Sequence, residues 1–224
     1  MNHVANRQQA GFTLIELMLA MTFLSVLMLA VAMTIIQMGT VYNKGLSVKD
    51  VNQIGRSLSD EFSRSASEAA GFSIDRDYRE TDAGGRLCLG RYSYIWNNKS
   101  ANEANSDPSL VRYASGTKIV RMVKVPDSTR YYCTPNASGV LGNRIVAPDV
   151  ARAQELLPEG DQRIGINAIK IVPSSVVTDA TTAQTMFMFE YVVSNGRTSS
   201  MTEDQRACLD PSDPNSDLVY CTVV

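Results

Sequence analysis

The stretch GFTLIELMLAMTFLSVLMLAVAMTIIQM, residues 11–38, decides how this chain is built. After Glu16 no charged residue occurs until Lys44. Leu17 to Ile36 supply the roughly 20 apolar or near-apolar residues that a membrane span requires. Leu, Met and Ala dominate the run, and all three are good helix formers. The first proline of the chain is Pro108, so nothing removes an N–H from the helix ladder. A transmembrane helix is expected. One residue conflicts with it: Glu16 brings a carboxylate to the mouth of the run, where lipid penalises a lone charge by about 3 kcal/mol.

The run is not an ordinary secretory signal. It exceeds the roughly 7–15 residues of a signal-peptide core, and no small-x-small cleavage site follows it. The residues before it, MNHVANRQQAG, are polar and carry one basic side chain, Arg7. The excess of positive charge on cytoplasmic segments places that end in the cytoplasm.

GFTLIE followed by an uncharged apolar helix resembles the processing site of type IV pilins and type II secretion pseudopilins. The resemblance implies that a prepilin peptidase cuts between Gly11 and Phe12 and methylates the new N-terminus. Residues 1–11 are then the leader, and 12–38 the transmembrane and polymerisation helix. Glu16 becomes the fifth residue after the cut. The resemblance pairs it with the freed Phe12 amine of a neighbouring subunit, setting the axial position of each incoming copy. Other pilin subunits, the peptidase and an inner-membrane assembly platform are the implied partners. The implied location is the inner membrane as a single-pass protein, then an extracellular or periplasmic filament. Many pilins carry a proline or glycine midway along this helix; Phe12 to Met38 contains neither.

Beyond the span, VYNKGLSVKDVNQIGRSLSDEFSRSASEAAG (residues 41–71) keeps a helical period. Val51, Ile54, Leu58, Phe62, Ala66 and Ala69 step by three and four and form one apolar stripe. Residues 39–70 are therefore expected to continue the helix and to pack on a sheet. Gly71 is the expected stop, while Gly39, Gly45 and Gly55 are expected to weaken or bend the helix.

Residues 71–224 read as a globular, β-rich head. RLCLGRYSYIW (86–96), LVRYA (110–114), KIVRMVKV (118–125), RYYC (130–133), IGINAIKIV (164–172), TMFMFEYVV (185–193) and LVYCTVV (218–224) carry β-branched and aromatic residues in strand-length runs. A short helix is expected at Asp149–Leu157, with Asp149 as its cap and Pro158 as its stop. The polar segment Asn97–Ser109 reads as a surface loop. The fold class expected is α+β, a long N-terminal transmembrane and amphipathic helix packed on an antiparallel sheet.

Composition narrows the function. The net charge is −2 over 224 residues, without the basic stripe of a nucleic-acid protein. His3 is the only histidine, and it lies in the expected leader. Ser-His-Asp, Cys-His and His-ligated zinc sites are then excluded from the processed chain, and no enzymatic role is expected. Cys88, Cys133, Cys208 and Cys221 all follow the apolar run, as disulfides in an oxidising compartment would. Four cysteines allow three connectivities. A Cys208–Cys221 bridge would close a loop resembling the disulfide-bounded C-terminal region of many pilins; Cys88–Cys133 would be the other pair. Asp210, Asp213 and Asp217 in that loop are weak candidates for calcium, which some pseudopilins bind there; no other cofactor is expected.

The function expected is that of a structural subunit of a type IV pilus-like filament. The large head favours a minor pilin that primes assembly or displays a surface for adhesion, motility or DNA uptake. One alternative is a pseudopilin of a type II secretion system. Another is a membrane-anchored ligand- or DNA-binding module, whose candidate cations are Arg112, Lys118, Arg121 and Lys124.

Overall fold

A computed structural model describes residues 12–69, 71–98, 108–116, 118–158, 164–174, 186–195, 201–204, 206–210, 212–213 and 221–223. The chain forms two compact units, one ending at Gly45 and one spanning Leu46–Val224. Helix α1, Leu14–Glu68, runs without interruption through Gly39, Gly45 and Gly55. Its first part belongs to the first unit.

In the second unit, Val51, Ile54, Gly55, Leu58, Phe62 and Ser65 are the buried face of α1. The 3.6-residue period accounts for this stripe. Ala66 and Ala69 are only half-buried, because the stripe drifts to Ser65, whose hydroxyl shares a 2.6 Å hydrogen bond with Tyr94. Gly55 lies on this buried face, and the Tyr191 hydroxyl donates to its backbone carbonyl at 2.5 Å. Past the helix, Gly71 takes a φ of +71°, a conformation that glycine adopts without steric cost.

After α1 come the short helix α2, Ile74–Asp77, and strands β1, Tyr78–Thr81, β2, Gly84–Leu89, and β3, Tyr92–Asn97. Next are β4, Arg112–Tyr113, β5, Met122–Pro126, a 3₁₀ turn at Tyr131–Cys133, and β6, Arg144–Ile145. The short helix α3, Ala147–Val150, then leads to β7, Gln154–Glu155, β8, Gly165–Ser174, β9, Met186–Ser194, and β10, Cys221–Val223. A five-stranded sheet runs β1-β2-β3-β5-β7, a three-stranded sheet runs β10-β9-β8, and β4 pairs with β6. All pairs in the first two sheets are antiparallel. The fold is thus α+β, with a long apolar N-terminal helix and antiparallel sheets.

Both faces of the five-stranded sheet are covered. On one, Leu87, Tyr94, Trp96 and Met122 join the α1 stripe and Ile166, Ile169 and Tyr191 of the second sheet. On the other, Ile95, Val123 and Val125 pack on Val111, Tyr132 and Ile145. This double burial is why KIVRMVKV does not alternate cleanly.

Three expectations are corrected. RYYC is a 3₁₀ turn, not a strand: Arg130 stands at a φ of +59°. The Asp127 carboxylate accepts the Tyr131 and Tyr132 amides at 3.0 and 3.1 Å, which curls the chain there. The helix expected at Asp149–Leu157 shrinks to Ala147–Val150, with Val146 at its cap. Asp149 instead accepts the Tyr132 hydroxyl at 2.7 Å, and Gln154–Glu155 pairs with β5 as an edge strand. Asn97 is not loop surface. It ends β3 and is buried; its side-chain amide donates to the carbonyls of Val111 and Val120 and accepts the Val111 amide. Residues 99–107 of the expected loop lie outside the described residues.

Candidate functional site

The N-terminal segment is built from a cap and an unburied apolar run. Gly11 lies outside the described residues. Phe12 is described and 86% exposed. Thr13 precedes the first helical residue, and Glu16 is the third residue of the helix. The Glu16 amide donates to Thr13 Oγ1 at 3.3 Å. In return, the Thr13 amide and hydroxyl donate to Glu16 Oε2 at 3.3 and 3.1 Å. This reciprocal pair is a capping box, and it satisfies amides that the first helical turn otherwise leaves open. Glu16 therefore has a local structural role, and Thr13 a role in the site, that the expected Phe12–Glu16 pairing does not include. Thr-x-x-Glu ahead of an apolar run is the sequence signal for both.

From Phe12 through Tyr42 every large apolar side chain is exposed. The helix is long and apolar enough to cross a membrane. Its hydroxyls are satisfied from within. Thr22, Ser25, Thr34 and Thr40 donate to the carbonyls of Leu19, Met21, Ala30 and Ile36 at 2.8–3.1 Å. Such internal bonds suit hydrocarbon, where no water can take their place.

In the head, α1 is keyed to the sheet by a buried ion pair. Lys124 Nζ lies 2.5 Å from Glu61 Oε1, and the Tyr94 hydroxyl donates to the same oxygen at 2.6 Å. The ammonium also stands 3.8 Å from the centre of the Tyr92 ring. This corrects the candidate basic face. Lys124 is buried and paired. Arg121 donates to the carbonyls of Pro158 and Ile164 at 2.8 and 2.7 Å. Lys118 sits over the Tyr113 ring. With Arg112 only partly exposed, the four cations do not make one open surface.

Disulfides join Cys88 to Cys133 and Cys208 to Cys221. The first is buried and ties the 3₁₀ turn to β2. The second clips β10 to the segment before it. Asp210 folds back on its own loop: Oδ1 accepts the Ser212 amide and hydroxyl at 2.8 and 2.6 Å. The Asp213 amide donates to the Asp210 carbonyl, and Asp217 lies outside the described residues. Among the described residues, no group of three or more His, Cys, Asp or Glu converges as a metal site.

Residues 6–36 match the family model described as the prokaryotic N-terminal methylation motif. No curated protein and no solved structure matches the chain. The matched segment holds the capping box and most of the unburied apolar run. This motif, with a long apolar helix and antiparallel sheets behind it, supports a subunit of the type IV pilin or pseudopilin kind.

Proposed function

We propose that this pilin-like subunit is a minor pilin, made as a precursor and processed between Gly11 and Phe12. The observation that carries the pilin reading is the contrast along one helix, and the minor role is read from the large head. From Leu14 to Tyr42, α1 buries none of its large apolar side chains, whereas from Val51 it packs a defined stripe. An exposed apolar surface of that extent marks a membrane or subunit interface. Lipid covers it before assembly, and the helices of other subunits cover it afterwards. Glu16 then meets the Phe12 amine of a neighbour, which offsets the cost of a carboxylate in lipid.

The partners in this reading are the prepilin peptidase, the inner-membrane assembly platform and other pilins. The chain acts structurally, priming assembly or displaying its head. The test is intact mass and N-terminal sequence of the protein from its native membrane. A chain that begins at methylated Phe12 supports the reading. A chain still carrying residues 1–11 would sink it. Recovery in sheared surface fibres supports a pilus; retention in the envelope would assign the subunit to a secretion pseudopilus.

A further inference from the structure

One face of the five-stranded sheet carries two arginines side by side. The register sets Arg79 of β1 directly opposite Arg86 of β2, so both side chains leave the sheet on the same face. Arg86 is only 6% exposed. It donates from Nη1 to the Tyr132 carbonyl at 3.0 Å and from Nη2 to the Gly142 carbonyl. Arg79 donates to the carbonyl of Tyr78 at 3.0 Å. Neither arginine forms an ion pair with a described residue. Burial pushes the Arg86 guanidinium down to about 10, which still leaves it charged at neutral pH.

This arrangement is unfavourable by itself. Like charges opposed across two strands destabilise a sheet, and a buried charge calls for a counter-charge. A cleft of about 840 Å³ opens in front of the two arginines. Gly84 is among its lining residues, at a position where a Cβ would collide with the Trp96 carbonyl. Val140, Leu141 and Asn143 line it from the opposite loop. The single carboxylate among its described lining residues is Asp82, which Arg206 holds at 2.9 Å.

We propose that this cleft binds a small anionic ligand, whose carboxylate or phosphate seats on Arg86 and Arg79. A guanidinium presents a planar fork of donors that matches either group. The volume falls within the range of small-molecule sites. Val140 and Leu141 offer apolar contact to the rest of the ligand, and Asn143 an amide. The site belongs to the head and does not depend on the assembly role proposed above.

The test is calorimetric titration of the full chain in nonionic detergent at low salt and pH 7, with glucuronate, inorganic phosphate and glucose. Binding of either anion without binding of glucose is expected. Glucuronate alone would identify a carboxylate ligand; phosphate alone would identify a phosphate ligand. Arg86→Gln also cuts ties to Tyr132 and Gly142, so the informative variants lie at the mouth. Val140→Glu places a like charge where the side chain is exposed, and Arg79→Gln removes the second cation. Each should weaken anion binding at least about tenfold. The proposal is overturned if neither anion binds, if glucose binds equally well, or if Val140→Glu leaves the affinity unchanged. Arg86 would then serve only to tie two loops to the sheet.

Discussion

Thr13 and Glu16 satisfy each other's backbone amides at the start of α1, each within 3.3 Å. The box needs hydrogen-bond acceptors. The proposed pairing with a neighbour's Phe12 amine needs a negative charge. One substitution separates the two. Gln is also a capping-box residue but carries no charge. Glu16→Gln should therefore leave membrane insertion and helix content unchanged and abolish incorporation into filaments. Thr13→Val should weaken the helix start by about 1 kcal/mol and spare the charge. Incorporation of Glu16→Gln at the parental level would show that Glu16 acts only as a cap.

Lys124 and Glu61 are both largely shielded from water. Removing one partner strands the other charge. Lys124→Met should cost about 3 kcal/mol, and Lys124→Met with Glu61→Leu should recover most of that loss. Trp96 is the only tryptophan and is fully buried in the head. Its fluorescence during denaturant unfolding of the detergent-solubilised chain reads the difference. Equal losses in the single and double variants would count against the ion pair as a coupled unit.

The long helix α1 was legible because its signals are local. The three-and-four spacing from Val51 to Phe62 and the missing prolines need no knowledge of partners. Long-range features were not legible. Arg130 and Asp127 turn RYYC into a 3₁₀ turn, although its composition suits a strand. Gln154–Glu155 pairs with β5 only because the sheet offers an edge there, and Pro148 sits in the single turn that precedes it. Lys124 looked like a surface cation because its partner lies 63 residues away. Arg79 and Arg86 became a site through strand register, which composition does not encode. The Thr-x-x-Glu cap is different: its signal is local, but the charge of Glu16 drew attention to an intermolecular role.

Two buried carboxylates make the head sensitive to acid. Burial alone would raise the Asp77 carboxyl, but Arg76, the Ser73 amide and Arg130 outweigh it and hold it below its usual value. Burial likewise opposes ionisation of Asp127, yet the Ser93 hydroxyl and the amides of Tyr132 and Tyr131 bring it below its usual value. A carboxyl lowered in the folded state adds stability above its unfolded pKa of about 3.9. That stability is lost as pH falls through the lower folded value. Stability should therefore hold from neutral pH to about pH 5 and then decline. Asp127→Asn should cost about 2 kcal/mol at pH 7 and flatten the decline. An unchanged acid limb in that variant would remove Asp127 from the account.

The two disulfides close loops of different length and should differ in what they contribute. Cys88 and Cys133 are 45 residues apart, and Cys208 and Cys221 are 13 apart. Loop-closure entropy gives about 4 kcal/mol for the first and about 3 for the second. Placement widens the gap. Cys88–Cys133 is buried beside the Ser93 hydroxyl, 3.0 Å from Cys88 Sγ, and the Asp77 carbonyl, 3.4 Å from Cys133 Sγ. Its removal should also loosen the 3₁₀ turn and the Asp127 contacts. Cys208–Cys221 holds only β10, an edge strand of three residues. Paired Cys→Ala variants, unfolded by denaturant and followed through Trp96, should rank Cys88–Cys133 as the larger loss. The Cys208/Cys221 variant should keep the parental Trp96 spectrum, because Trp96 lies in the other sheet. Equal losses, or a shifted Trp96 spectrum in that variant, would mean that the C-terminal clip supports the main core.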